Sequence, residues 1–176
     1  SEDLLIPSDK SGARKRLGIE PDSVMALFFG RISPVTKADL VPLVRVISRL
    51  SQRHDKLVLV IGGSATEKQC TWLERLIIYA DCAKHVKFRP HVDDTVRADL
   101  LAAADFFVSP VDNIQETFGI SIVEAMAFGL PVIASDFNGY RELVDHGVTG
   151  FKVPTTWAPL PGLHYELSPL VEDSIA

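Results

Sequence analysis

Residues 115 to 134 read QETFGISIVEAMAFGLPVIA. Two glutamates, Glu116 and Glu124, stand eight positions apart in a run that is otherwise largely apolar and small, with Phe118-Gly119 between them. On one continuous helix they would be about 12 Å apart along the axis and roughly 80° apart around it, so they would not share a face. Gly119 instead reads as the end of a loop and Ile120 as the start of a helix. That places Glu116 on the loop and Glu124 about one turn into the helix. After Phe128, the run Pro131 to Ala134 has the composition of a buried strand. The stretch is therefore a loop, a helix and a strand in sequence.

The same alternation extends in both directions. Short runs rich in Val, Ile, Leu and Phe occur at Val24 to Phe29, Lys56 to Ile61, His85 to Arg89, Asp105 to Ser109, Pro131 to Ala134 and Gly150 to Val153. Helical segments are expected between them at Lys37 to Arg53, Glu67 to Ala80, Thr95 to Ala104, Ile120 to Phe128 and Tyr140 to Val144. In the first of these, Leu40, Leu43, Val44, Ile47 and Leu50 recur at the spacing of one buried helix face. Apolar strands alternating with helices predict an α/β fold: a Rossmann-like open sheet of about six parallel strands with helices on both faces. Residues 1 to 20 read as a polar lead-in with a short Lys/Arg-rich helix. Residues 21 to 153 form the domain, and 154 to 176, with four prolines, read as an irregular tail.

Composition narrows the function. The 176 residues carry 18 basic and 23 acidic side chains, a formal charge of −5, which argues against a nonspecific nucleic-acid binder. No apolar run approaches the roughly eighteen residues of a membrane span, and the first residues lack the apolar segment of a signal peptide. Cys70 and Cys82 fit no CxxC or zinc spacing and read as reduced thiols.

In an open parallel sheet, ligands sit beyond the carboxyl ends of the strands. Those ends are followed by GRISPVTK, GGSATE, RPHVDD, SPVDNIQETFG and SDFNGY, which together form one rim. A helix starting at Ile120 offers unpaired N–H groups and the positive end of its dipole to a phosphate. A glutamate on each side accepts hydrogen bonds from sugar hydroxyls. Hydroxyls at both ends and phosphates in the middle describe a nucleotide-diphosphate sugar. Arg31, just past Gly30, and Lys37 in the same loop supply positive charge for the phosphates. No strand-end loop carries an Asp-x-Asp or histidine cluster, so no metal ligands and no cofactor beyond the donor substrate are expected. Gly62-Gly63 reads as a bend, Asp93-Asp94 as a helix cap, and His91 as a solvated loop histidine. A glycoside hydrolase would need its two carboxylates about 5 to 10 Å apart across one bond, which a helix start between them disfavours.

These stretches resemble the C-terminal, donor-binding domain of a GT-B fold retaining glycosyltransferase of group 1, or family 4. The resemblance runs from about Arg14 to Val153 and includes FFGRISP, LVIGGS, ADFFVSP, ETFGISIVE followed by AMAFGLPVIAS, and DHGVTGF. It implies that Glu116 binds hydroxyls of the donor sugar, that the backbone of Phe118, Gly119 and Ile120 meets sugar and phosphates, and that Glu124 binds the ribose. It also implies that Arg31 and a lysine stabilise the departing diphosphate. The family's lysine position corresponds to Thr36; Lys37, one residue later, is assigned here. Backbone near Arg89 to His91 would contact the base. The acceptor, whether lipid, glycan or small molecule, would be chosen by an N-terminal domain outside these residues, and the isolated 176 residues are expected to transfer little or nothing. A cytoplasmic location is expected, with peripheral membrane contact through that other domain. Two alternatives stay open at this stage: a sugar-nucleotide epimerase of the same fold, and a noncatalytic nucleotide-sugar-binding domain.

Overall fold

A computed structural model describes residues 9–33, 37–111 and 118–155. The elements in order are α1 (Lys10–Leu17), β1 (Val24–Phe29), α2 (Val41–Ser51), β2 (Leu57–Gly63), α3 (Glu67–Tyr79), β3 (Val86–Pro90), α4 (Asp94–Ala103), β4 (Phe106–Ser109), α5 (Ile120–Ala127), β5 (Val132–Asp136), α6 (Tyr140–Leu143) and β6 (Gly150–Pro154).

The strands form one sheet in the order β3-β2-β1-β4-β5-β6, and every neighbouring pair is parallel. This is the doubly wound arrangement. Successive strands run outward from β1 to β3, and the chain then crosses back to β4 and runs outward again. Right-handed crossovers put α2 and α3 on one face and α4, α5 and α6 on the other. The central strands β1, β2 and β4 are apolar on both sides because both faces are covered: Met25 and Phe28, Leu59 and Val60, and Phe107 and Val108, one from each face, are all buried. At one edge, β6 exposes Phe151 and Val153.

Local chemistry sets the helix ends. Asp9 caps α1, its carboxylate accepting from the N–H of Gly12, and Gly18 closes it in the left-handed conformation. Thr66 and Gln69 form a reciprocal capping box on α3. Asp93 caps α4 by accepting from the N–H of Val96, as its pairing with Asp94 suggested, although the helix begins at Asp94 rather than Thr95. The Lys/Arg-rich helix expected near the start is α1, and it packs against α4.

The largest departure from the expected helix boundaries is at the start of α2. The segment beginning at Lys37 is not helical at its start. Lys37 lies in a turn, its N–H and that of Ala38 both donating to the carbonyl of Ser33, and α2 begins only at Val41. Pro42 sits in the first turn of α2, and the Asp39 carboxylate accepts from the N–H of Val41. Leu43, Val44 and Ile47 make the buried face as expected and Leu40 is buried just ahead of the helix, but Leu50, expected on the same face, is exposed. The two cysteines are free thiols, and burial raises the pKa of Cys82 above the ordinary thiol value.

Candidate donor-binding crevice

The strand order reverses between β1 and β4, so the loops leaving their carboxyl ends diverge and leave a crevice. Of the residues selected from sequence, Arg31 and Lys37 follow the end of β1, and Gly119, Ile120 and Glu124 belong to the start of α5.

The β1 side is held by backbone contacts. Beyond Phe29 the chain keeps pairing with the end of β2: the N–H of Gly30 donates to the carbonyl of Gly62, and that of Ile32 to Ser64. Extended pairing alternates side chains, so Ile32 points into the core and is fully buried, while Arg31 is exposed. This close approach requires Gly63. A Cβ there would lie 1.7 Å from the carbonyl oxygen of Gly30, and its φ of +146° is one that L residues rarely adopt. Gly62-Gly63 is thus more than a bend, because it sets where Arg31 stands.

Lys37 returns to the same place. Its Cε would stand 3.4 Å from a Cβ built on Gly30, so the side chain lies over the end of β1. It is half-buried, and its pKa is lowered first by that burial and then by the positive charge of Arg31. Two like charges are therefore held near one another at the mouth of the crevice. Thr36 lies outside the described residues.

On the opposite side, α5 opens as expected. Gly119 occupies the N-cap with φ +76°, Ile120 is the first helical residue and Glu124 is in the second turn. A glycine cap brings no side-chain oxygen to the first-turn N–H groups. Gly119 is buried, while Phe118 and Ile120 on either side are about two-thirds exposed. The turn rests on Tyr140. A Cβ at Gly119 would come within 2.6 Å of the Tyr140 ring, whose hydroxyl accepts from Ser109 Oγ at 3.2 Å. Ser109 is the last residue of β4 and is buried, and burial raises the Tyr140 pKa above the ordinary phenol value. Glu116 lies outside the described residues.

Glu124 is partly exposed and pairs with Arg97 of α4, Nη1 to Oε1 at 3.3 Å. Arg89 of the β3 rim is committed elsewhere, donating from Nη2 to the carbonyl of Leu17 at the end of α1, at 2.8 Å. Any base contact there would fall to the backbone beyond it, where His91 adopts φ +56° and donates its N–H to Gly63. A cavity of about 390 Å³ between α2 and the outer strands reaches the rim at Pro110 and Ser135. Its walls, including Val46, Leu50, Phe106, Val108 and Ile133, are unsuited to a diphosphate. Among the described residues, no three or more His, Cys, Asp or Glu side chains cluster as metal ligands, and no helix is long and apolar enough to cross a membrane.

Sequence reasoning missed Gly63, Tyr140 and Arg97 as parts of this arrangement. The φ of Gly63 and its contact with Gly30 follow from how closely β1 and β2 approach. Tyr140 and Arg97 act through residues distant in sequence.

Residues 9–159 match the family model described as glycosyl transferases group 1. Among curated proteins, the chain is 37% identical over 153 residues to D-inositol 3-phosphate glycosyltransferase 2 of Catenulispora acidiphila, covering 84% of this chain and 35% of that one. It is 34% identical over 177 residues to the D-inositol 3-phosphate glycosyltransferase of Streptomyces griseus, covering 94% and 37% respectively. The chain thus spans about a third of the length of these relatives. Among solved structures it resembles Anabaena Alr3699/HepE in complex with UDP and glucose, with TM-score 0.69 and 28% identity over 98% of this chain and 45% of that one. The C-terminal domain of LpcC, a glycosyl transferase group 1 family protein from Francisella tularensis, shares the fold at TM-score 0.71 and 20% identity, over 98% of this chain and 87% of that one.

Proposed function

Because the chain belongs to the group 1 glycosyl transferases, we propose that it is the domain that binds a nucleotide-diphosphate sugar in a retaining hexosyltransferase. The observation that carries this reading is the occurrence of two unlike features on the strands at the strand-order reversal. Arg31 and Lys37 stand at the end of β1, and the glycine-capped start of α5 follows β4. A diphosphate between them meets two cations on one side and helix N–H groups on the other. Both act where negative charge grows as the bond from the anomeric carbon to the diphosphate breaks and a bond to the acceptor oxygen forms.

Glu124 takes the ribose hydroxyls and Glu116 those of the hexose. With charge supplied by arginine, lysine and a helix dipole, the reading requires no metal and no separate cofactor. The UDP held by the Anabaena neighbour supports a uridine nucleotide as the first probe. The acceptor is met by the rest of a longer polypeptide, which works in the cytoplasm where such donors are made.

Calorimetric titration of the chain with UDP tests the reading. Binding that weakens about tenfold or more in Glu124→Ala, the loss expected when hydrogen bonds to a charged group are removed, supports it. Equal binding by the two proteins overturns it.

A further inference from the structure

Glu124 has three rotatable side-chain bonds and stands partly exposed on α5, yet it is held. Arg97 Nη1 meets its Oε1 at 3.3 Å, and Arg97 Nη2 also meets Asp94 Oδ1 at 3.3 Å. Asp94 and Arg97 both belong to the first turn of α4, directly after the loop that leaves β3. The line from Asp94 through Arg97 to Glu124 therefore ties that rim loop to the acidic side chain on α5.

Stability does not account for such a pair. Surface ion pairs contribute roughly 0 to 1 kcal/mol; the Asp94 side chain is almost fully exposed, and those of Arg97 and Glu124 are each about a third exposed. Geometry gives it a different use. A guanidinium beside one carboxylate oxygen biases, by charge, the directions the group takes up and leaves lone pairs for a vicinal diol. A glutamate already oriented does not lose its rotamer freedom when the ligand arrives.

Resting on the donor-binding reading above, we infer that Arg97 is a positioning residue: it holds the Glu124 carboxylate in the orientation that receives the ribose 2′ and 3′ hydroxyls. Arg97 thereby sets how strongly the site prefers a ribonucleotide over one lacking those hydroxyls. It contacts the ligand only through Glu124.

The test compares affinities for UDP and for 2′,3′-dideoxyuridine diphosphate in the whole chain, wild type and three variants, with a thermal melt of each. The ratio of the two affinities isolates the diol, because base and diphosphate are common to both ligands. In Glu124→Gln the ratio should collapse. In Arg97→Gln it should shrink roughly three- to tenfold, as expected when one long side chain must be ordered by the ligand itself, with the melting temperature little changed. Arg97→Lys, which keeps the charge and loses the planar fork, should recover part of the ratio.

If Glu124→Gln collapses the ratio while Arg97→Gln leaves it unchanged or increases it, the positioning role is refuted and the ribose contact stands. Should Glu124→Gln also leave the ratio intact, or wild-type chain fail to bind UDP, the donor-binding reading falls and the role of Arg97 falls with it. Loss of affinity for both ligands in equal measure in Arg97→Gln would mark a merely structural residue.

Discussion

Strands β1 and β4 lie side by side, and their two ends are treated in opposite ways. At the amino ends, charge is neutralised. Arg14 of α1 donates from Nε to the carbonyl of Ala103, from Nη1 to those of Pro21 and Ser23, and from Nη2 to Asp105 at 2.6 Å. Asp105 also accepts from the Met25 N–H at 2.6 Å and from Lys10 Nζ at 2.7 Å. At the carboxyl ends, burial and then the nearby charge of Arg31 lower the pKa of Lys37, and α5, which follows β4, carries a glycine where a capping side chain would serve stability better. The first arrangement sets opposite charges together, whereas the second holds two like charges close to one another. Charge matched by opposite charge and charge set beside like charge are thus separated by the length of one short strand.

The largest test of this contrast is Arg14→Ala. It strips partners from three carbonyls and leaves Asp105 with less compensation, so unfolding in urea should show a loss of about 3–5 kcal/mol. Arg14→Lys should recover little, since one ammonium cannot reach four acceptors in the geometry of the fork. Acid sharpens the same point. Burial alone would raise the Asp105 pKa, but Lys10, the Met25 N–H and Arg14 together bring it below the ordinary carboxylate value. The folded carboxylate therefore holds its proton less tightly than the unfolded one. The stability it contributes is complete above the ordinary aspartate pKa and disappears as pH falls through the lower folded value. Asp105→Asn should flatten stability across that acidic window.

Gly119→Ala comes next. Strain at φ +76° and collision with the Tyr140 ring should together cost roughly 2–4 kcal/mol in a denaturation experiment, with weakened UDP binding in the protein that remains folded. Tyr140→Phe, which removes only the bond to Ser109, should cost about 1 kcal/mol.

Arg31→Ala should reverse the pattern of Arg14→Ala. The exposed guanidinium contributes little to the fold, so the melting temperature should stay within a few degrees. UDP affinity should fall by roughly 1.5–3 kcal/mol, the range of a hydrogen bond to a charged group. A stability loss comparable with that of Arg14→Ala would erase the distinction between the two ends.

The smallest effect concerns Lys37. Its folded pKa lies below the ordinary value, so the unfolded chain binds the proton more tightly. Stability should rise with pH between the depressed folded value and the ordinary one, and the penalty is fully present at neutral pH. Lys37→Met should remove that slope while weakening UDP binding. Parallel urea titrations of both proteins from neutral to alkaline pH would detect it.

Most of the architecture was legible in the chain, for a definite reason. All six strands fall within about two residues of their expected ranges because apolar runs buried on both faces are bounded by polar turns. The start of α5 was readable because a glycine stands directly before an apolar helix, so Gly119, Ile120 and Glu124 occupy their expected places. The beginning of α2 was not, because the apolar periodicity continues through Leu40, which is buried without being helical. The resting of Gly119 on Tyr140 and the pairing of Glu124 with Arg97 join residues 21 and 27 positions apart in the chain, and no local pattern records such contacts. Glu116, the other half of the opening pair, remains an assignment by resemblance.

The meeting of Gly63 with Gly30 bears on any attempt to redesign this rim. It is a contact of main chain with main chain, so the position of residue 31 is decided before its side chain is chosen. An engineer could exchange the groups at 31 and 37 and alter what the crevice attracts while the scaffold stays in register. Adding a single methyl at 63 would displace the platform on which both groups stand.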